Sequence, residues 1–157
     1  MTGPTMLELA DAVEKASGPD RALDVEVFRA IGAPVPFQFA SAMVALTYDE
    51  ASRNYTAPIG DMHVRYEVPA YTGSVDAAMG LTPPDHTVQL SDWDHARLRE
   101  MGPWQAIVLP LGARGGMQSY TFSNRCDHAA SLPLALTAAS LRARHTLNLE
   151  NARADPC

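Results

Sequence analysis

The stretch SLPLALTAASLRAR, residues 131–144, decides the fold class. Leu132, Leu134, Ala135, Leu136, Ala138, Ala139 and Leu141 make a helix here apolar nearly all round, so it is expected to be largely buried. Ser131 is placed to cap it, and Pro133 is tolerated in a first helical turn. Arg142 and Arg144 sit towards its C-terminal end, where positive charge suits the helix dipole. A helix with so little polar surface needs a sheet or other helices around it.

The upstream chain offers both. Residues 62–68 alternate, with Met62, Val64, Tyr66 and Val68 on one face and His63, Arg65 and Glu67 on the other, the pattern of a half-buried strand that Pro69 ends. Residues 42–48 and 53–57 are strand-like around an Asp49-Glu50 turn. A further strand is expected at 87–90. A hairpin follows, with arms at 104–109 and 117–122 joined through Pro110 and the Gly112-Ala113-Arg114-Gly115-Gly116 turn. A short helix is expected at about 73–80, with Thr72 or Ser74 as its cap and Gly80 at its end.

Two helices open the chain. Thr5 and Glu8 have capping-box spacing, and Met6, Leu9, Ala10 and Val13 recur at helical intervals. Ser17-Gly18-Pro19-Asp20 breaks the chain, with Pro19 expected in the first turn of a second helix. Leu23, Val27, Ala30 and Ile31 form its apolar stripe, Gly32 its expected cap, and Ala33-Pro34-Val35-Pro36 cannot continue it. Helices, a mainly antiparallel sheet and helices again make an α+β architecture. With helical groups on opposite faces of a sheet of about four to six strands, the result is a three-layer α/β/α sandwich. The absence of repeats and linkers predicts one domain over 1–147 and a mobile tail at 148–157.

Composition narrows the function classes. The 157 residues are 46% hydrophobic and 19% charged, enough for a core without disulfide or metal staples. No apolar run reaches the roughly 18 residues of a membrane span, and the N-terminus does not read as a signal peptide. Cys126 and Cys157 make no disulfide framework, which fits a reducing cytoplasm. Twelve basic against eighteen acidic residues, net −6, argue against general nucleic-acid or anionic-membrane binding. All the basic residues except Lys15 are Arg, a usage that a GC-rich genome explains.

Three segments carry a resemblance: GPDRALDVEVFRAIG (18–32), PAYTGSVDAAMGL (69–81) and SLPLALTAASLRAR (131–144). Together they resemble the phage ABA-sandwich domain proteins, small proteins of tailed phages and prophages whose name describes an α/β/α layered fold. Where such proteins often read Thr-Pro-Ala at the start of the last helix, this chain reads Ser131-Leu132-Pro133, which shifts a cap and spares the helix. The resemblance implies a phage or prophage setting and a role in the host-cell cytoplasm. It carries no catalytic residue and implies no reaction. Residues 82–130 match least and are the place for a function particular to this chain.

Candidate chemistry is sparse. Asp92, Asp94 and His95 are close in sequence, as are Cys126, Asp127 and His128, but no metal-ligand spacing is present and no metal or cofactor is expected. No serine sits in a nucleophile elbow, and Asp127 beside Cys126 would raise a thiol pKa rather than lower it. Cys126 reads as a small residue between the last strand and the last helix. Three ligand-binding candidates remain. Tyr71, Thr72 and Ser74 at a helix start could receive a phosphate or carboxylate on free amides and hydroxyls, although simple N-capping with Tyr71 in the core explains the same residues. Trp93 and Trp104 flank Arg97 and Arg99 and could sandwich a base, or Trp104 could simply begin a buried strand. Arg114 in the glycine-rich turn could line an anion nest, or mark a plain hairpin turn.

These features predict a non-enzymatic phage accessory binding protein. Its expected role is counter-defence, by sequestering a nucleotide-like host immune signal or blocking a host defence protein. The alternatives are a nucleotide-signal hydrolase using His63, His86, His95 or His128 from separate loops, and a self-associating virion or assembly protein. A homo-oligomer is expected in every version, because a half-exposed sheet edge is readily completed by a second copy.

Overall fold

A computed structural model describes residues 3–31, 47–49, 54–59, 62–92, 102–111 and 124–154. Helix α1 (Met6–Lys15) begins in the capping box that its sequence calls for: Thr5 Oγ1 accepts from the Glu8 amide, and the Glu8 carboxylate accepts from the Thr5 amide. Helix α2 (Arg21–Ala30) leaves out Pro19, which was expected in its first turn. Asp20 is its cap, and Asp20 Oδ1 accepts from the Ala22 and Leu23 amides. A carboxylate reaching two free amides outweighs proline's preset backbone angle at that boundary. Gly32 lies outside the described residues.

Strands β1 (Thr47–Asp49), β2 (Asn54–Ile59) and β3 (Met62–Glu67) form one antiparallel sheet, with Tyr55 opposite both Tyr48 and Tyr66. Residues 42–46, the first part of the first expected strand, lie outside the described residues. After a turn, α3 (Val75–Met79), within the expected 73–80, is capped by Ser74, the second of the two expected candidates, and ends at Gly80. Strands β4 (His86–Asp92), β5 (Trp104–Pro110) and β6 (Arg125–Ala129) form a second antiparallel sheet in the order β4-β5-β6. The expected arm at 117–122 and the turn before it lie outside the described residues, and the strand on the far side of β5 is β6. Cys126 therefore lies within a strand rather than after the last one.

Helix α4 (Leu132–Ala154) closes the chain and packs on β5, β6, α1 and α3. It runs seven residues into the expected tail, helical to Ala154, although every residue from Asn148 to Ala154 is exposed. Ser131 stands at the cap position and its carbonyl accepts from the Ala135 amide, but its buried hydroxyl has no partner. Pro133, the second helical residue, removes one of the two amides that a cap hydroxyl reaches.

The core gathers where α4 meets the second sheet. Ala106 and Val108 of β5, Cys126 and Ala129 of β6, and Leu134, Ala135, Ala138 and Leu141 of α4 are all fully buried and in one cluster, joined by Leu9 and Val13 of α1. Small residues on both sides let the helix approach the sheet closely. The architecture is α+β with antiparallel sheets, and among the described residues no helix is long and apolar enough to cross a membrane.

Candidate functional site

The three segments behind the family resemblance are one another's neighbours. Asp24 of α2, 1% exposed, accepts from both the Thr72 amide (2.8 Å) and the Thr72 hydroxyl (2.9 Å) through Oδ1, and from Arg21 (2.9 Å) through Oδ2. Arg21 also donates to the Val68 carbonyl, and the Asp20 amide donates to Thr72 Oγ1. From the other side, the Thr137 hydroxyl of α4 donates to the Tyr71 carbonyl and the Arg144 guanidinium to the Leu81 carbonyl. Residues 18–31, 69–81 and 131–144 thus form a single hydrogen-bonded unit around the buried Asp24 and Thr72.

That unit places three of the sequence-predicted ligand residues. The Thr72 groups that could receive an external carboxylate already hold the carboxylate of Asp24. Ser74 Oγ accepts from the Ala77 amide as the α3 cap. Tyr71 is buried in the core cluster, and burial pushes its phenol up to about 12, with Arg144 opposing and Asp24 adding to the rise. All three have structural work within the fold.

A second polar cluster ties α1 to the sheet and α4. The Glu14 carboxylate accepts from the Asp127 amide (3.0 Å), the His128 amide (3.3 Å) and Arg142 (2.6 Å). Arg142 also donates to Asp11 and to the Arg125 carbonyl. Burial raises the Glu14 pKa, but Arg142 and the two amides outweigh it and hold the carboxyl below its ordinary value. Cys126 lies beside this cluster, and burial, then Glu14, push its thiol well above the ordinary range. Such a thiol is a core residue and a poor nucleophile. Its neighbour Asp127 points to the opposite face of the strand, so Cys126, Asp127 and His128 do not converge as the sequence proximity suggested.

The face of the second sheet turned away from α4 is different in kind. Strand alternation places Thr87, Gln89 and Ser91 of β4, Gln105, Ile107 and Leu109 of β5, and Arg125 and Asp127 of β6 there. A hydrogen-bonded row crosses all three strands. Ser91 donates to Gln105 Oε1 (2.7 Å), Gln105 Nε2 donates to Asp127 Oδ1 (3.0 Å), and Arg125 Nε donates to the same oxygen. The row is buried at its centre and open at both ends: Gln105 is 7% exposed, while the Asp127 side chain is 46% exposed at one end and Ser91, with Thr87 and Gln89 beside it, is exposed at the other. It falls inside residues 82–130, the region that the family resemblance does not reach. Sequence reasoning missed it, because no motif links residues 91, 105 and 127. Only strand register makes them neighbours.

Trp104, the first residue of β5, is half-buried against the core, consistent with a strand start rather than an open stacking platform. Trp93, His95 and Arg114 lie outside the described residues. Among the described residues, His128 Nδ1 and the Ser131 hydroxyl are buried without a hydrogen-bond partner. Among the described residues, no three His, Cys, Asp or Glu side chains gather as a metal site would require.

Comparison with known proteins adds no relative: no family model, curated protein or solved structure matches the chain.

Proposed function

We propose that the chain is a non-enzymatic accessory protein of phage or prophage origin. In this reading it works in the host-cell cytoplasm against host defence, and binds through the outer face of β4–β6. The observation that carries the proposal is the Ser91–Gln105–Asp127–Arg125 row, lying in the part of the chain that the family resemblance does not cover. The resembling segments are occupied with holding one another, so a property particular to this chain belongs elsewhere.

An open three-stranded surface with an aligned polar row suits a protein partner better than an enclosed small molecule. Blocking a host defence protein is therefore preferred over sequestering a nucleotide-like signal. The three-layer sandwich with a four-to-six-stranded sheet, which the resemblance implies, belongs to the same proposal.

Native mass spectrometry of the protein purified from infected, defence-expressing cells, against its denatured mass, tests the reading. A partner protein lost on denaturation, and lost again in an Arg125→Ala variant of unchanged fold, is the expected result. A small-molecule adduct would move the proposal to its sequestration form. A clean apo mass, with deletion leaving phage growth on defence-expressing cells unchanged, would overturn it.

A further inference from the structure

Among the described residues, strand β4 is the edge of its sheet. Its only strand partner among them is β5, and five of its seven residues are exposed. The ladder fixes which groups face outward. The Leu111 amide donates to the Asp85 carbonyl, and these two residues continue the β4–β5 register, so odd-numbered residues of β4 bond β5. The bond from the Val108 amide to the Asn124 carbonyl agrees, because it turns even-numbered residues of β5 towards β6. The amides and carbonyls of His86, Val88, Leu90 and Asp92 therefore point away from the sheet.

The sequence of this strand, HTVQLSD, is complementary to itself when reversed. Pairing two copies antiparallel about Gln89 sets His86 against Asp92, Thr87 against Ser91 and Val88 against Leu90. Each is a favourable cross-strand combination: imidazole with carboxylate, hydroxyl with hydroxyl, aliphatic with aliphatic. The outward-facing even residues fall in the hydrogen-bonded positions of this register, and Gln89 falls in a non-bonded pair on the axis. Leu90, a large apolar side chain left 40% exposed, meets Val88 of the second copy on the helix-facing side. The strand carries no lysine, proline or bulge to discourage pairing.

We infer that β4 pairs with β4 of a second copy of this chain across a two-fold axis at Gln89, joining the two sheets into one of six strands. The interface is isologous, so each substitution acts twice. The outer polar faces of both copies then run on as one surface, with Thr87, Gln89 and Ser91 at the seam. The pairing rests on register and strand chemistry, not on the proposed function.

Sedimentation velocity and native mass spectrometry of the purified chain test it, over concentrations from about 1 to 100 μM. A dimer is expected within that range; a monomer throughout overturns the inference. Leu90→Pro removes an outward amide without touching the β5 ladder and is expected to abolish the dimer, with circular dichroism checking the fold. Charge reversal gives a test that does not depend on that variant folding. His86→Glu sets two carboxylates against each other at both ends of the seam and weakens dimerisation about tenfold; Asp92→Lys acts in the same direction. The double variant restores opposite charges and recovers dimerisation to near the wild-type level. A dimer indifferent to the single changes, or singles not rescued by the double, would overturn the register.

Discussion

The unit built from residues 18–31, 69–81 and 131–144 and the outer face of β4–β6 both depend on an aspartate, and they use it in opposite ways. Asp24 is 1% exposed, and its two oxygens receive an amide, a hydroxyl and a guanidinium. Asp127 is 46% exposed, and one of its oxygens takes both side-chain donors. A buried carboxylate with saturated partners orders the chain around it, whereas a half-open one keeps capacity for another molecule. The contrast separates a scaffold from a surface within one small chain.

Asp24→Ala is the strongest way to break that contrast. It strands the Thr72 amide and takes one partner each from the Thr72 hydroxyl and the Arg21 guanidinium, and should cost about 3–5 kcal/mol in denaturant unfolding. Asp24→Asn, which keeps one acceptor and the shape, should lose less. Equal losses from both would show that the carboxylate is not the organising group.

Gly102 supports the surface region from beneath. Its φ is +111°, and a Cβ there would come within 2.6 Å of the Ala129 carbonyl carbon. Gly102→Ala should cost about 3 kcal/mol and lower the thermal midpoint. Little effect would show that β5 starts without that close approach to β6.

The Glu14 clamp joins the two regions, and its loss should be intermediate. Glu14→Gln should cost about 2 kcal/mol at neutral pH. The Glu14 pKa is below its ordinary 4.5 in the fold, so the native state binds fewer protons than the unfolded chain around that pH. Its stabilisation is fully present above pH 4.5 and is lost as pH falls through the lower, folded value. Glu14→Gln should therefore flatten the acid limb of the stability profile, and an unchanged limb would assign acid sensitivity elsewhere.

Ser91→Ala should have the smallest effect. It removes one exposed donor from the polar row and should change stability by about 0.5 kcal/mol or less. Thermal unfolding checks this, and a loss as large as that of Glu14→Gln would make the row part of the scaffold.

Local signals were legible wherever a few consecutive residues carry the information. The Thr5–Glu8 box, the Ser74 cap, the Gly80 end of α3 and the buried face of α4 all follow from spacing along one helix. The boundaries that shifted did so through competition that spacing does not resolve. Asp20 displaced Pro19 as the start of α2, and Pro133 removed one of the two amides that a cap hydroxyl at Ser131 reaches. Tyr71 and Thr72 show the wider difficulty. Their residue types suit an anion site, and the anion they meet is Asp24, 48 residues away from Thr72 in the chain.

By itself, the sequence determined the α+β class, the buried last helix and the caps of the short helices, because those depend on periodicity and on groups within one turn. Tertiary structure alone decided that three distant segments lock together around Asp24, and that Ser91, Gln105, Asp127 and Arg125 share one row. Strand order and register set which residues touch, and a shift of one residue would turn each of these side chains to the other face of the sheet.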